Sequence, residues 1–590
     1  MDLLENLNHQ QRQAVEVGDQ SLAIIAGPGT GKTKTLTTRI AYLLRTRGLL
    51  PEQILAVTFT NKVAREMRQR ASVLLGDNKL PVITTFHAYC YQLLQEHGTV
   101  FDAFLTDAER LAILRELSKP TALQELQARE IGLLLSRYKN AVDGSSFDSA
   151  VKQVAAEYDA VLTERGLQDF DNLLQQTYQL LITNVTLRER IQQQYRHVLV
   201  DEFQDTNELQ YEMLRLIVGS NHLTAIGDPR QSIYSFRGAD SDLFERFIND
   251  FPTAQTIVLT TNYRSTQTIV RFANNIFPNE TPLAAHQKAD GQVRIIKTLN
   301  EHAEAAFVVS AIEQQLGGTT LLTAQADDGQ AHHFRDFAVL YRTHRTARAM
   351  QRSLEASGIP YQIVGDESPY ASPLIAALSA LLIALCEAEP LTERQYASLS
   401  ALKSMTHAMV VEQLEQCRSM IGRETVVALV NELIKRCRLA TVADKKQAAM
   451  QQYTNFLFRF GTDLKAATVT LQALQQADSY DAMADAVTLL TIHAAKGLEF
   501  NHVFLCGAEE GVLPHGRKGT DVDEEQRLFY VAATRAKQQL DILYAKTRAH
   551  QPAEPSRFIA KLSHQDDPAM AVQEKRHHKQ QLKRRQASLF

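Results

Sequence analysis

The sequence has no tryptophan and few cysteines, and these two shortages limit the chemistry that it can carry. The five cysteines are scattered without a C-x-x-C pair, at Cys90, Cys386, Cys417, Cys437 and Cys506. This spacing excludes a zinc ribbon or an iron–sulfur cluster built from neighbouring residues, and it is typical of a reducing compartment. Because tryptophan is absent, aromatic stacking on a ligand must come from Phe, Tyr or His.

The sequence also lacks a long apolar run. The longest one, Leu374 to Cys386, has 13 residues and is interrupted by Ser379, whereas a membrane-spanning helix needs about 18. The run therefore predicts a buried helix, and we expect no membrane partner. Residues Met1 to Glu5 do not follow the basic-then-apolar layout of a signal peptide, so we expect a cytoplasmic location.

Neither sign of charge dominates the composition. The chain has 63 Lys and Arg against 67 Asp and Glu, which gives a net charge of −4. Composition alone therefore gives no indication that nucleic acid is a partner. With 44% hydrophobic and 22% charged residues over 590 positions, the sequence is typical of a globular protein of about four domains.

A glycine-rich loop follows the first predicted strand, Leu22 to Ile25, and precedes a stretch with helical spacing of leucine and isoleucine. The loop comprises Ala26, Gly27, Pro28, Gly29, Thr30, Gly31, Lys32, Thr33 and Lys34, with Ala26 at the usual place of a glycine. Backbone N–H groups of such a loop, and the helix N-terminus after it, bind phosphate. We expect Lys32 to reach the β- and γ-phosphates and the Thr33 hydroxyl to ligate Mg²⁺.

An acidic pair, Asp201 and Glu202, directly follows the apolar run Val198 to Val200. Two carboxylates at the end of a buried strand need a cation or a catalytic role, so a merely solvated pair is the weaker interpretation. We expect Asp201 to hold Mg²⁺ through its water shell and Glu202 to polarise the attacking water. Together with the loop, this pair predicts a nucleoside-triphosphate hydrolase that uses ATP and Mg²⁺.

Six segments occur in the order of a known family. They are Leu7–Arg12 (LNHQQR), Val198–Thr206 (VLVDEFQDT), Gly227–Ala239 (GDPRQSIYSFRGA), Asn262–Ser265 (NYRS), Thr491–Phe500 (TIHAAKGLEF) and Glu524–Ala536 (EEQRLFYVAATRA). Through these segments the sequence resembles superfamily 1 helicases of the UvrD/Rep/PcrA type. Other apolar strands, such as Phe337 to Tyr341, and the two long helical stretches between strands agree with this resemblance.

The resemblance implies an α/β fold with two tandem RecA-like P-loop domains, 1A and 2A, each with a mainly helical insertion, and with ATP in the cleft between them. The expected boundaries are 1–91 and 192–260 for 1A, 92–191 for insertion 1B, 261–370 and 486–565 for 2A, 371–485 for a shortened insertion 2B, and 566–590 for a disordered basic tail.

The resemblance also implies roles at the nucleotide. Gln11 would read the adenine, Tyr263 would stack on it, and Glu499 would meet the ribose. Arg264 and Arg535 would act as arginine fingers on the γ-phosphate, and Gln231 would sense that phosphate or its water; the forked, permanently charged guanidinium suits phosphoryl transfer.

Single-stranded DNA is the partner that the resemblance implies, held by stacking and backbone contacts. The matching positions are Phe59, Asn61, His87, Tyr234, Phe236, Arg237 and His493. Phe236 stands where the family commonly has tryptophan, and its ring can still stack. Core packing is the alternative role for Phe59, Tyr234 and Phe236. The chain departs from the family in two places: Pro229-Arg230 stands where the family usually has acidic residues, which reverses the local charge, and the 2B insertion is short, which bears on the strength of unwinding.

The leading hypothesis is an ATP- and Mg²⁺-dependent single-stranded DNA translocase and helicase, acting at single strands and single-strand/duplex junctions in repair or replication. Its 3′→5′ direction is implied by the resemblance. Two alternatives remain: a translocase that displaces proteins or remodels DNA but barely unwinds it, and an ATP-switched accessory subunit of a clamp or nuclease complex.

The last residues form a basic tail with a distinctive end. Residues Lys575 to Phe590 include six Lys or Arg and no Asp or Glu, which favours nonspecific phosphate contacts. The end itself, with Gln586, Ser588, Leu589 and Phe590, resembles the peptide by which bacterial proteins bind the sliding clamp. A Leu-Phe anchor for an apolar pocket suits such a contact; an inert terminus is the alternative.

Overall fold

The structure is a computed structural model, which describes residues 3–76, 79–98, 103–105, 107–235, 238–239, 242–316, 332–364, 373–386, 391, 396, 399–402, 405–439, 447–458, 460–468, 471, 480–481, 483–517, 520–563 and 570–574. Phe236, Arg237 and the candidate clamp peptide Gln586–Phe590 lie outside these residues.

Eighteen strands are present in the described part of the chain. They are β1 (Leu22–Ala26), β2 (Ile54–Thr58), β3 (Val82–Thr85), β4 (Ala103–Phe104), β5 (Leu167–Gln168), β6 (His197–Val200), β7 (His222–Gly227), β8 (Gln255–Leu259), β9 (Thr261–Thr266), β10 (Ala284–Gln287), β11 (Gln292–Asn300), β12 (Phe337–Tyr341), β13 (Tyr361–Val364), β14 (Val487–Thr491), β15 (Phe500–Leu505), β16 (Ala536–Arg548), β17 (Gln551–Pro552) and β18 (Met570–Glu574).

The described α-helices of seven or more residues are α1 (His9–Glu16), α2 (Lys32–Arg45), α3 (Asn61–Leu75), α4 (Phe86–Glu96), α5 (Asp107–Ser118), α6 (Ala128–Lys139), α7 (Ser149–Glu164), α8 (Phe170–Thr183), α9 (Val185–Gln194), α10 (Glu208–Val218), α11 (Leu243–Asp250), α12 (Gln267–Ile276), α13 (Glu301–Gln315), α14 (His344–Ala356), α15 (Pro373–Cys386), α16 (His407–Cys417), α17 (Val426–Arg436), α18 (Gln447–Phe458), α19 (Val522–Ala533) and α20 (Arg557–Ser563). None of them is both long enough and apolar enough to cross a membrane.

Two parallel sheets organise the molecule. The first has the strand order β3-β2-β6-β7-β1-β8, and the second has the order β13-β14-β12-β15-β16-β11-β18, with β17 antiparallel beside β16. The central strands read as continuous apolar runs because helices cover both faces, as parallel sheets require. Separate apolar clusters pack on the two faces of each sheet. The predicted α/β class with two parallel-sheet domains is thereby confirmed.

The two insertions have cores of their own. Helices α5 to α7 enclose one apolar cluster, and α15 to α18 enclose another. The apolar run that predicted a buried helix is α15, whose leucines are almost fully buried in the second cluster. The stretch 92–191, expected to be almost wholly helical, also contains the short parallel pair β4–β5. Its strands are two residues long, and their paired residues lie 64 positions apart in sequence (Ala103 with Leu167, and Phe104 with Gln168), so no local pattern marks them.

Candidate nucleotide site and DNA surface

The glycine loop connects β1 to α2, and its glycines adopt a backbone that other residues rarely take. Gly29 and Gly31 have φ values of +70° and +84°. A Cβ on Gly29 would lie 2.6 Å from the Cβ of Arg264, and one on Gly31 would lie 2.7 Å from the Nε2 of Gln11. The loop therefore needs glycine both for its conformation and for the close approach of its neighbours.

Helix α1 fixes the loop from one side. Asn8 caps this helix and forms a capping box with Gln11, whose buried side chain donates from Nε2 to the carbonyl of Thr30 at 2.8 Å. The Asn8 amide in turn donates to the hydroxyl of Tyr263 at 2.8 Å. The residue predicted to read adenine thus lies on the phosphate loop and beside the residue predicted to stack on it.

Lys32 begins α2 and faces the acidic end of β6. Its Nζ is 3.3 Å from the carbonyl of Ala26 and 3.9 Å from Oε1 of Glu202. Burial, and next the charge of Glu202, raise the pKa of Asp201 to about 7. Burial also opposes ionisation of Glu202, but Lys32 and Lys496 outweigh it and hold the pKa of Glu202 below its ordinary value. The pKa values of the two adjacent carboxyls are therefore shifted in opposite directions, a pattern found in acid–base sites.

Gln231 lies between the two domains. It follows β7, and its Nε2 donates to Asp228 at 2.8 Å. Its Oε1 accepts from an Nη of Arg535 at 3.3 Å, across the domain boundary. Arg535 is fully buried, and burial, followed by the nearby charge of Arg264, lowers the pKa of its guanidinium. A buried guanidinium close to a second arginine favours an anionic ligand.

Arg264, on β9, lies beside Glu499. The Nε of Arg264 is 2.6 Å from Oε2 of Glu499, and Lys537 contacts the other oxygen at 2.8 Å. Although burial opposes ionisation, these cations hold the pKa of Glu499 below its ordinary value. The structure therefore places Glu499, the residue predicted to meet the ribose, next to a candidate arginine finger.

A second ring accompanies Tyr263. The Tyr263 side chain is 36% exposed, and the imidazole of His286, on β10, lies 4.7 Å from it between ring centroids. No motif in the sequence marks His286. The parallel pairing of β9 with β10 brings the two rings together, which only the tertiary structure reveals.

Lys496 forms a link that sequence reasoning missed, although it lies inside one of the family segments. Its Nζ donates to both oxygens of Asp205, at 2.7 and 2.6 Å, and to the carbonyl of Gln231 at 2.6 Å. Burial raises the pKa of Asp205 to about 6 despite this cation. Asp205 and Gln231 belong to the first domain and Lys496 to the second, so the link joins the two domains close enough to Glu202 for the Lys496 charge to lower its pKa.

Arg230, an unusual residue at its place in the family segment, is almost fully buried at the domain boundary. Its Nε is 3.1 Å from Asp228, and its guanidinium lies 5.1 Å from the centre of the Tyr530 ring. A Cβ on Gly27 would come within 2.8 Å of an Nη of Arg230. The charge reversal noted in the sequence is therefore balanced locally by Asp228.

The candidate DNA residues fall into two groups on the domain surfaces. Tyr234 lies 6.4 Å from His493 between ring centroids, with Nζ of Lys496 5.1 Å above the tyrosine ring. Phe59 packs edge-on against Phe86 at 5.8 Å and is half-buried. Asn61 is exposed as the first residue of α3.

The second group contains an aromatic that the sequence did not single out. His87, on α4, lies 5.3 Å from the ring of Phe170, and Phe170 stacks on Phe104 at 5.2 Å. Phe170 is 57% exposed even though it contacts two rings. In the sequence, an aromatic directly after an Asp that can cap a helix is the signal that could have pointed to it. We call His87, Phe104 and Phe170 the aromatic step.

The fold and the site together define a two-domain P-loop protein in which Arg264 and Arg535 of the second domain lie at the candidate nucleotide site of the first. Residues 7–252 match the family model of the UvrD/REP helicase N-terminal domain. Residues 257–388 and 390–547 match that of the UvrD-like helicase C-terminal domain. The chain belongs to the UvrD-like helicase family.

Three bacterial relatives illustrate the likeness. The chain is 32% identical over 648 residues to the ATP-dependent DNA helicase PcrA of Bacillus subtilis, covering 95% of this chain and 86% of that protein. It is 32% identical over 643 residues to DNA helicase II of Escherichia coli K12, covering 95% and 88%. It is 30% identical over 659 residues to the ATP-dependent DNA helicase UvrD1 of Mycobacterium tuberculosis H37Rv, covering 93% and 83%.

Proposed function

We propose that the protein is an ATP-dependent DNA helicase that hydrolyses ATP in the cleft and moves along single-stranded DNA. The observation that carries this proposal is the contact of Arg535, from the second domain, with Gln231 of the first domain beside the acidic pair. Residues that act on one phosphate are thereby divided between two bodies, so hydrolysis can be coupled to their relative motion. The names of the relatives support DNA as the substrate.

In this proposal the first domain binds the triphosphate. Its loop N–H groups and Lys32 hold the phosphates, and Gln11 reads the base. Tyr263 and His286, whose tilted rings come from the second domain, hold the base from the other side. Thr33 and Asp201 supply hard oxygen donors that suit Mg²⁺, and a cation is what the buried Asp201 carboxyl requires to stay ionised. When bound, Mg²⁺ would neutralise charge on the β- and γ-phosphates.

Hydrolysis then depends on Glu202 and on groups from the second domain. The low pKa of Glu202 keeps it ionised and able to accept a proton from water. Arg264 and Arg535 would contact the γ-phosphate, with Arg264 exchanging its contact with Glu499 for the anion. Because Gln231 accepts from Arg535 and is joined to Lys496 through its carbonyl, loss of the γ-phosphate would loosen the boundary at several contacts together.

DNA would lie across the two aromatic groups. Tyr234 and His493 come from different domains, so closure changes their spacing, whereas the aromatic step belongs to the first domain and its insertion. The Tyr234–His493 pair would then move relative to the aromatic step during each ATP cycle. Such relative movement of two base-stacking sites would allow the protein to advance along a single strand. We assign the 3′→5′ direction, the action at single-strand/duplex junctions and the role in repair or replication by family membership.

The same proposal assigns the four expected subdomains to the two sheets and the two helical insertions. It also includes a sliding-clamp contact through Gln586, Ser588, Leu589 and Phe590, for which the sequence pattern is the support.

Steady-state ATP hydrolysis with and without single-stranded DNA tests the motor, using the parent and Glu202→Gln. We expect DNA to stimulate the parent and the variant to lose about 10²–10⁴-fold in kcat, because the amide cannot accept the proton. Glu245→Gln, an exposed glutamate on α11, is the matched control and should behave as the parent. A parent that DNA does not stimulate, or a variant as fast as the parent, contradicts the motor.

The type of work is tested separately with the same enzyme. A duplex with a 3′ single-stranded extension and a biotinylated strand carrying streptavidin are given to the parent with ATP. Strand separation supports the helicase, and it should be absent with a 5′ extension. Streptavidin displacement without strand separation would instead indicate a translocase that removes proteins.

A further inference from the structure

Three chemistry-bearing residues meet at the edge of the first sheet that lies opposite the nucleotide site. His197 and His222 are the first residues of β6 and β7, and Asp19 lies just before β1. The carboxyl ends of these same three strands lead into the phosphate loop, the Asp201-Glu202 pair and the segment of Gln231. We call Asp19, His197 and His222 the amino-edge triad.

The amino-edge triad brings its donor atoms close together. One ligand atom from each residue can be chosen so that all three lie within 4.8 Å of one another. The two imidazole rings are 5.0 Å apart between centroids, and the His197 Nε2 lies 3.5 Å from Oδ1 of Asp19. Tetrahedral zinc, with bonds of about 2.0 Å, separates its ligands by roughly 3.3 Å. The Asp19 side chain is exposed, so its rotation can bring its carboxylate closer to the imidazoles.

The environment of the His197 side chain also points to a ligand. Its side chain is fully buried, and within the described part of the chain neither ring nitrogen makes a hydrogen bond of good geometry, since Nε2 has only the long 3.5 Å contact with Oδ1 of Asp19. A buried imidazole with both nitrogens unpaired is rare in folded proteins, where such groups contact another polar group, an ordered water or an ion. Because a carboxylate and a second imidazole lie beside His197, and both are common metal ligands, a metal ion is the partner that these groups favour.

The surroundings orient the carboxylate and set a limit on affinity. Arg47 contacts Oδ2 of Asp19 at 3.5 Å, which leaves Oδ1 toward His197, and such an outer contact commonly fixes a metal-ligating group. The other charged groups near the amino-edge triad are Arg39 and Arg196. Arg39 donates from Nη1 to the carbonyls at the end of α1 and from Nε to the hydroxyl of Thr224, while its buried Nη2 has no hydrogen-bond partner among the described residues. These positive charges weaken the binding of a cation without removing its ligands.

We propose that Asp19, His197 and His222 form a binding site for a divalent transition-metal ion of the zinc class. Two imidazoles and one carboxylate suit Zn²⁺, Co²⁺ or Ni²⁺ and discriminate against Mg²⁺, which prefers oxygen ligands. The ion joins the segment before β1 to the first residues of β6 and β7, and it therefore fastens the strands that carry the nucleotide site.

A Co²⁺ titration followed by visible absorption tests this site directly. The untagged full chain is stripped with chelator and held in excess Mg²⁺, so that the Thr33 and Asp201 oxygens do not compete for Co²⁺. We expect one equivalent of Co²⁺ to give a band that Zn²⁺ abolishes. His222→Gln and Asp19→Asn, which alter the less buried ligands, should weaken Co²⁺ binding by about tenfold or more, as loss of a ligand requires.

The matched control is His302→Gln, an exposed histidine on α13, which should bind Co²⁺ as the parent does. Thermal unfolding gives a second readout: Zn²⁺ should raise the unfolding temperature of the parent and of the control but not of His222→Gln, because only the intact site binds the folded state. Absence of the band in the parent, or equal Co²⁺ affinity in the parent and both variants, would overturn the proposal.

Discussion

At the residue scale, the nucleotide site is governed by buried charges whose partners come from far along the chain. Arg535 is enclosed by the carbonyls of Val531 and Leu498 as well as by Gln231. Three different nitrogens of the guanidinium therefore donate to three different acceptors. A single-point cation cannot reproduce them, which makes Arg535 sensitive even to a substitution that keeps its charge.

Arg535→Lys should therefore lower kcat for ATP hydrolysis by about 10²-fold or more, since arginine fingers contribute roughly 10³–10⁵ in rate. ATP binding, measured by fluorescent nucleotide titration, should change much less, because the loop, Lys32 and Gln11 remain. Arg557→Lys, an exposed arginine paired with Glu510, serves as the control. Hydrolysis by Arg535→Lys at the parental rate would exclude the finger role.

At the element scale, short elements place the side chains that the sequence did not identify. Helix α8 begins at Phe170 after the cap Asp169, so the ring is held at the end of a helix, where solvent reaches it. The short pair β4–β5 places Phe104 beneath that ring. Because most of the Phe170 ring is exposed, its contribution to stability is small and a contribution to ligand binding is the better explanation of its position.

Phe170→Ala should weaken binding of single-stranded oligonucleotides by about 1–3 kcal/mol, the usual contribution of one base–aromatic stack. Fluorescence anisotropy with labelled oligo(dT) measures this change, and ATP hydrolysis without DNA should stay at the parental level. Phe458→Ala provides the comparison, because Phe458 is also a highly exposed phenylalanine, on a helical insertion away from the aromatic step. Equal weakening by both substitutions would remove the aromatic step from the DNA path.

The elements also show how far the sequence could predict the site. The phosphate loop, the acidic pair and the segment of Gln231 each follow a strand directly, so local pattern was enough to find them. Lys496 and Asp205 are 291 residues apart, and Asn8 and Tyr263 are 255 apart. Contacts at such separations depend on how the two sheets meet, which no local periodicity encodes. The same reason accounts for His286, which gains its position from the pairing of β9 with β10.

At the scale of the whole molecule, the two domains are joined by buried charged contacts as well as by apolar packing of Ile233 and Tyr234 against the core of the second domain. Lys496 contacts Asp205, and Arg527 donates to the carbonyl of Ser232 at 2.7 Å. Because burial raises the pKa of Asp205 to about 6, ionising this group lowers stability as the pH rises through 6. The ion pair is therefore better explained by control of the boundary than by stabilisation of the fold.

Lys496→Met should reduce DNA-stimulated ATP hydrolysis by about tenfold or more, because truncating one partner of a buried ion pair between two bodies costs about 2–5 kcal/mol. Lys496 does not contact the phosphate loop, so we expect nucleotide affinity to fall less than the DNA-stimulated rate. Lys435→Met, at an exposed position of α17, is the control. An unchanged DNA-stimulated rate would mean that the boundary does not depend on this contact.

The phosphate loop is contacted by the second domain through its backbone. Asn262 donates from its side chain to the carbonyl of Pro28 at 2.7 Å, and the N–H of Tyr263 donates to the carbonyl of Gly29 at 2.8 Å. Backbone carbonyls are common to every residue type, so these contacts persist under most substitutions in the loop that keep its glycines. Nucleotide affinity should therefore depend on the position of the second domain relative to the phosphate loop. A simple binding titration can act as a ruler for the closure of the cleft, without a label on either domain.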